Sequence, residues 1–251
     1  MFSGKTILVT GATSGIGAAC ARAFAREGAR TVLTGRNAVA GETLRDSLPG
    51  DGHLFLAADL ADREQAQHLV SKVIQRAGGL DVLVNNAGVV HHATVPETSD
   101  DCWDETLALN LNAVFYLCRA AIPAIIERGG GAIVNVASNW GVVGGEQVAA
   151  YCASKGALIQ LTRAMALDHA RDGLRVNAVA PGAVDTPMLE AEAAELGLSA
   201  EACRREWAES APDRRLASTD DVAEAILFLA SDRARHIHGS VLPVDGGSLA
   251  G

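Results

Sequence analysis

Cysteine, aromatic residues and positive charge are all scarce in this 251-residue chain. The five cysteines (Cys20, Cys102, Cys118, Cys152, Cys203) are odd in number, scattered and never spaced as CxxC. That argues against a disulfide framework and against a cysteine-based zinc site. They read as reduced thiols, which implies a cytoplasmic protein. The 21 Lys and Arg are outnumbered by 30 Asp and Glu, giving a formal net charge of −9. A basic face, the usual footprint of a nucleic-acid binder, is therefore not expected, nor is attachment to an anionic membrane surface. No run of 18 or more apolar residues suggests a transmembrane span. The opening MFSGKTILVTGATSG lacks the charged-then-apolar order of a secretory signal. With no repeat, low-complexity linker or convincing boundary, residues 1–251 are expected to form a single domain.

What the chain does contain is alternation. Short apolar runs at 6–9, 30–34, 53–57, 80–84, 132–136, 175–179 and 240–244 have strand length. Between them lie amphipathic stretches, notably 18–27, 38–47, 63–76, 101–127, 149–170 and 220–230. Pro123 reads as a kink or stop near the end of the fourth of these, and Ser218 or Thr219 as a cap for the last. Seven strands alternating with helices predict an α/β fold, a doubly wound and mainly parallel sheet covered by helices on both faces.

The first strand runs into Thr10-Gly11-Ala12-Thr13-Ser14-Gly15-Ile16-Gly17, and a helix follows at once. Glycines there allow a tight turn and let a pyrophosphate approach free amides at the helix start, with Thr13 and Ser14 as further donors. Position strengthens the pattern, because it lies between a first strand and a first helix and about twenty residues before a second strand. The second strand ends in Thr34-Gly35-Arg36-Asn37, without the carboxylate that would bind a ribose 2′-hydroxyl. Arg36 could instead meet a 2′-phosphate, so NADP(H) is favoured over NAD(H). Asp59 and Leu60, past the third strand, are placed to hold the adenine edge.

Tyr151 and Lys155 stand four apart on a helix face. A free phenol, with a pKa of about 10, is a poor acid–base group near neutrality. A neighbouring ammonium and an oxidised nicotinamide would both favour the phenolate. By itself such a pair is common on protein surfaces. Its company is not: Asn85-Asn86-Ala87-Gly88 follows the fourth strand, Asn110 lies in the long helix, and Ser138 falls thirteen residues before Tyr151. Pro181-Gly182 with Thr186 follows the sixth strand.

With these motifs in order and spacing, the chain resembles the short-chain dehydrogenase/reductase family, in its branch of about 250 residues. The resemblance spans almost the whole chain and implies a Rossmann-type domain and a nicotinamide-dependent oxidoreductase acting on a carbonyl or secondary alcohol of a small or medium-sized substrate. It further implies that Tyr151 exchanges a proton with the substrate oxygen, that Ser138 orients that oxygen, and that Lys155 holds the nicotinamide ribose. Asn110 would anchor a water linking Lys155 to solvent. Asn86 and Gly88 would line the inner ribose, and Val184 and Thr186 would contact the carboxamide. Gly11, Gly15, Ile16, Gly17 and Pro181 complete the expected cofactor set, and a homotetramer or homodimer is implied. An epimerase or dehydratase using nicotinamide transiently is disfavoured by the glycine spacing and the lack of a large C-terminal substrate domain. A non-catalytic nucleotide sensor is disfavoured by the presence of Tyr151, Lys155 and Ser138.

Three weaker features complete the reading. Trp140 is a candidate to line the substrate pocket. His91-His92 lack acidic or cysteine partners at ligand spacing and read as polar loop residues, so no metal site is expected. The segment 188–211, helical and acidic, falls where the family carries a substrate lid; its carboxylates are expected to face solvent.

Overall fold

The computed structural model describes residues 1–250. Its centre is one seven-stranded sheet in the order β3-β2-β1-β4-β5-β6-β7, and every pairing is parallel. The strands are β1 (Thr6–Val9), β2 (Arg30–Gly35), β3 (Leu54–Ala57), β4 (Val82–Asn85), β5 (Gly131–Val136), β6 (Leu174–Pro181) and β7 (Val241–Val244). Central strands covered on both faces need apolar residues at every position rather than at alternate ones. Accordingly β1 and β4 are buried throughout. Along β1, Ile7 and Val9 join one core layer with Phe24, Val222 and Ile226, while Leu8 joins the opposite layer with Leu69, Leu117 and Leu158. Pro243 is accommodated because β7 is an edge strand, where a missing N–H breaks no second ladder.

Helices α1 (Gly15–Arg26), α2 (Ala38–Ser47) and α3 (Arg63–Ala77) alternate with the first strands. They are followed by α4 (Asp100–Leu107), α5 (Ala113–Glu127), α6 (Ala149–His169), α7 (Pro187–Glu195), α8 (Ala200–Ser210) and α9 (Thr219–Ala230). Ser218 caps α9 through a reciprocal box with Asp221, as the sequence suggests. One expectation needs correction. The stretch 101–127 is not a helix interrupted at Pro123, since α5 runs through that residue to Glu127. Its irregularity lies earlier, in a π-helical turn, Ala108–Asn112, between α4 and α5. By length and hydropathy alone, Asp100–Glu127 could cross a membrane. In this fold it is a core helix, with Leu117, Ala121 and Ile125 buried in the layer beside the sheet.

Strand order reverses between β1 and β4, and an open α/β sheet leaves its ligand crevice at the carboxyl ends of the strands at such a point. The two loops there are bound together. The Thr10 hydroxyl accepts the backbone N–H groups of Asn86 and Ala87 at 2.9 and 3.0 Å, and the Asn86 amide donates to the Thr10 carbonyl at 2.9 Å.

Candidate active site

Two adjoining cavities open along this crevice. The first, about 320 Å³, is lined by Gly11, Thr13, Ser14, Gly15 and Ile16 from the first turn, Arg36 after β2, and Asp59 and Leu60 after β3. Asn86, Gly88 and Thr186 also line it. Gly11 and Gly15 have φ of +61° and +52°, backbone that other residues rarely adopt. A Cβ on Gly11 would stand 2.9 Å from the Ala87 Cα. Gly17 plays another part: it lines neither cavity, and any side chain there would overlap the Gly11 carbonyl. It lets α1 pack under the turn. Ser14 begins α1 without a side-chain cap, and no acidic residue occupies the first turn, so the amides at this helix end suit a pyrophosphate. The glycine cradle, the helix end and the basic Arg36 together fit a dinucleotide phosphate chain.

Asp59 takes a more local role than expected alongside its place in the cavity wall. Its carboxylate accepts the Ala61 N–H at 3.1 Å, and its own N–H donates to Gln65 Oε1 at 3.0 Å. Its position on the rim is therefore held by the start of α3.

The second cavity, about 470 Å³, is lined by Ser138, Trp140, Tyr151 and Lys155, together with Pro181, Val184 and Thr186. Ile16, Asn86, Gly88 and Thr186 belong to both cavities, so the two are continuous. Tyr151 and Lys155 sit one turn apart on α6, and the Lys155 ammonium lies 5.5 Å from the Tyr151 ring centroid. The Lys155 Nζ donates to the Val136 carbonyl at 2.9 Å, which fixes it against the end of β5. Ser138 begins the turn after β5, where its Oγ donates to Asn139 Oδ1 at 3.1 Å and accepts the Trp140 N–H at 3.2 Å.

Burial governs the acid–base character of both groups. Desolvation pushes the Tyr151 phenol above its ordinary value; the Ser138 hydroxyl pulls it down, and the carboxylate of Glu192 pushes it further up. Desolvation lowers the Lys155 ammonium from 10.5 to about 8. The phenol is thus moved up and the ammonium down, so burial sets the two pKa values apart rather than lowering the Tyr151 phenol as the sequence suggests. When bound, the dinucleotide supplies the hydride position and, oxidised, a positive charge that favours phenolate.

Asn110 does not line either cavity. It is fully buried in the π turn. Its Oδ1 accepts the Val89 N–H at 2.8 Å, and its Nδ2 donates to the Val89 carbonyl at 2.8 Å and to Ser154 Oγ at 3.1 Å. A Cβ on Gly88 would meet both Asn110 Oδ1 and Lys155 Nζ, at 3.2 and 3.4 Å, so the three residues are tightly juxtaposed.

Several residues enter the site that the sequence did not single out. Met188, Glu192, Glu206 and Trp207, from α7 and α8, line the second cavity. Trp140 meets Tyr151, Trp207 and His92 edge-on at ring-centroid distances of 6.1, 6.4 and 6.4 Å. The carboxylates of this segment do not all face solvent as expected. Glu192 is buried and pairs through Oε2 with His92 Nε2 at 2.9 Å, while Glu195 pairs with His91 at 3.2 Å. His91 and His92 are therefore ties between the Gly88 loop and α7, not free loop residues. No group of three or more His, Cys, Asp or Glu suited to a metal occurs among the described residues.

The family model described as enoyl-(acyl carrier protein) reductase matches residues 11–248. The D-threitol dehydrogenase of Mycolicibacterium smegmatis is 41% identical over 246 residues, which cover 97% of this chain and 92% of that one. The meso-2,3-butanediol dehydrogenase of Serratia marcescens is 38% identical over 249 residues, covering 99% and 96%. A Beutenbergia cavernae structure, provisionally named an NAD(P)-dependent gluconate 5-dehydrogenase and holding NADP at low occupancy, superposes with a TM-score of 0.89. It is 40% identical, with 99% of this chain and 98% of that one covered. Fold and relatives together define a nicotinamide-dependent α/β oxidoreductase. The chain belongs to the short-chain dehydrogenase/reductase family.

Proposed function

We propose that this enzyme interconverts a secondary alcohol and its ketone on a small hydroxylated substrate, with Tyr151 as the proton-exchanging group. The observation that carries the reading is that Tyr151, Ser138 and Lys155 share one cavity, and that this cavity runs directly into the glycine-lined cleft. The Ser138 hydroxyl orients the reacting oxygen, and Tyr151 gives or takes its proton. Lys155, held by Val136 and near neutral-pH titration, passes the proton on toward Asn110 and solvent. Binding thus supplies proximity, and fixed donors meet the charge that develops on oxygen. Threitol, a four-carbon tetrol, and 2,3-butanediol, in the relatives' names, both carry neighbouring hydroxyls on a four-carbon frame, which supports a substrate of that size.

For the cofactor we infer a preference for NADP(H). Arg36 lines the cleft at the end of β2 with no acidic residue beside it in the turn, and the Beutenbergia structure holds NADP. We also infer α7 and α8 to be a substrate lid on a single domain. Exposed Trp103, Phe115 and Leu167 on α4, α5 and α6 support a homodimer or homotetramer. Five free thiols support a cytoplasmic setting. The deciding experiment is a panel of small alcohols and ketones assayed with NADP(H) and NAD(H), following reduced-cofactor absorbance. Turnover with an NADPH preference is expected, and a tenfold preference for NADH would overturn the assignment of Arg36.

A further inference from the structure

The cavity around Tyr151 is walled mainly by apolar and aromatic groups, yet it contains one carboxylate that is almost completely buried. The Glu192 side chain is 7% exposed and so is its partner, His92. Burying a carboxylate in such surroundings is costly unless its oxygens are hydrogen-bonded. His92 Nε2 satisfies Oε2 at 2.9 Å, whereas Oε1 has no hydrogen-bond partner among the described residues. Oε1 also escapes complete enclosure, for it is absent from the fully buried, unpaired polar atoms. A half-satisfied carboxylate in the substrate cavity is an acceptor in want of a donor.

The surroundings of Glu192 restrict what that donor can be. The His92 ring that holds it packs edge-on against Trp140, which packs edge-on against both Tyr151 and Trp207. Glu192 is thus tied through two rings to the reacting phenol, and its charge acts on that phenol. A second carboxylate, Glu206, lines the same cavity. An anionic substrate would meet the buried Glu192 charge in a poorly solvated space, with the exposed Glu206 adding a weaker, screened charge of like sign. A neutral substrate with a second hydroxyl near the reacting carbon would place an O–H donor at Oε1 while its carbon frame lies against Trp140 and Trp207.

We propose that Glu192, oriented by His92, is a specificity determinant that accepts a hydrogen bond from a second hydroxyl of the substrate, so that the enzyme selects neutral diols and polyols over mono-alcohols and over hydroxy acids. The proposal rests on the alcohol-oxidoreductase reading and adds to it the recognition of the neighbouring hydroxyl. A charge-assisted hydrogen bond in a desolvated pocket corresponds to about tenfold to a hundredfold in selectivity.

The test measures kcat/KM of the wild-type protein with saturating cofactor on 2,3-butanediol, 2-butanol, 3-hydroxybutyrate and 1-amino-2-propanol. The same panel is run on Glu192→Ala and on Glu192→Gln, which keeps the shape and one acceptor oxygen. Thermal melting and cofactor binding report the folded state of each variant. The wild type is expected to favour the diol over 2-butanol by at least about tenfold, with the hydroxy acid poorest. Glu192→Ala should collapse the diol-to-mono-alcohol ratio, chiefly through KM, and Glu192→Gln should retain part of it. An unmoved ratio in both folded variants overturns the proposal and leaves the alcohol reading standing. So does a selective loss of the amino alcohol, which would make Glu192 a cation site. Failure of the wild type to turn over any alcohol, or acetoin and 2-butanone in reverse, overturns both readings.

Discussion

Asn110 grips Val89 at both ends of one residue, accepting its N–H and donating to its C=O, each at 2.8 Å. The segment carrying Val89 follows directly on Gly88, which borders both cavities, so this pair of hydrogen bonds holds the shared wall in place. Asn110→Ala leaves both polar groups of Val89 unpartnered and is expected to cost about 2–4 kcal/mol. Urea unfolding of the cofactor-free protein measures it; a loss near zero would show that water or Ser154 replaces the amide.

Tyr151→Phe removes the hydroxyl proposed to exchange a proton with substrate while keeping the ring that packs against Trp140. Turnover should fall by about a thousandfold or more, with cofactor affinity changed only slightly. Steady-state rates and a cofactor fluorescence titration separate the two effects. Retained turnover would remove Tyr151 from the mechanism.

Lys155 leads to a prediction about pH and stability. Its pKa is about 8 in the folded chain and 10.5 in the ordinary state, so the unfolded chain binds more protons between those values. Stability from this residue should therefore rise as pH increases from 8 to 10.5, and its burial cost is fully present below pH 8. The gain is on the order of 3 kcal/mol for a completely buried group. Tyr151 acts in the opposite sense at higher pH, because its raised pKa keeps the native phenol protonated while the unfolded one ionises above 10. Comparing unfolding midpoints of wild type and Lys155→Met at pH 7.5 and 9.5 isolates the lysine. Parallel pH curves for the two proteins would refute the shift.

Arg36 lies exposed on the wall of the glycine-lined cleft. Arg36→Ala should lower the NADPH-to-NADH ratio of kcat/KM by about tenfold or more, as loss of a charged contact to a phosphate would. An unchanged ratio would assign the 2′-position to some other residue.

The legible parts of the site were those tied to local chain geometry. Gly11 and Gly17 can be read because close packing admits no Cβ there, Gly15 because the turn needs a positive φ, and Tyr151 with Lys155 because helical spacing puts them on one face. The turn that carries Ser138 and Trp140 follows β5, and its placement comes from the parallel sheet itself. The Glu192 and His92 pair was not legible in the same way. One hundred residues separate the two, and α7 has almost the same composition on its buried and exposed faces, so nothing marks which of Glu190, Glu192 and Glu195 turns inward. The helix break was misplaced for a related reason. Pro123 carries a visible local signal, whereas the π turn coincides with Asn110, whose side chain bonds Val89 and Ser154, partners remote in sequence.

That π turn has a consequence for the reading frame of the helix. A five-residue hydrogen-bonded loop holds one residue more than an α turn, so it acts as a one-residue insertion in an otherwise regular spiral. The faces of α4 and α5 are therefore out of phase by about 100°, the angle that one residue subtends. Asn110 turns into the core beside α6 at that seam, while the apolar stripe of α5 keeps its own alignment with the sheet. Removing a single residue between Ala108 and Asn112 would let the spiral close up and rotate all of α4 relative to α5. Its cost would be read at Val89 and Lys155, far from the deleted position in the chain.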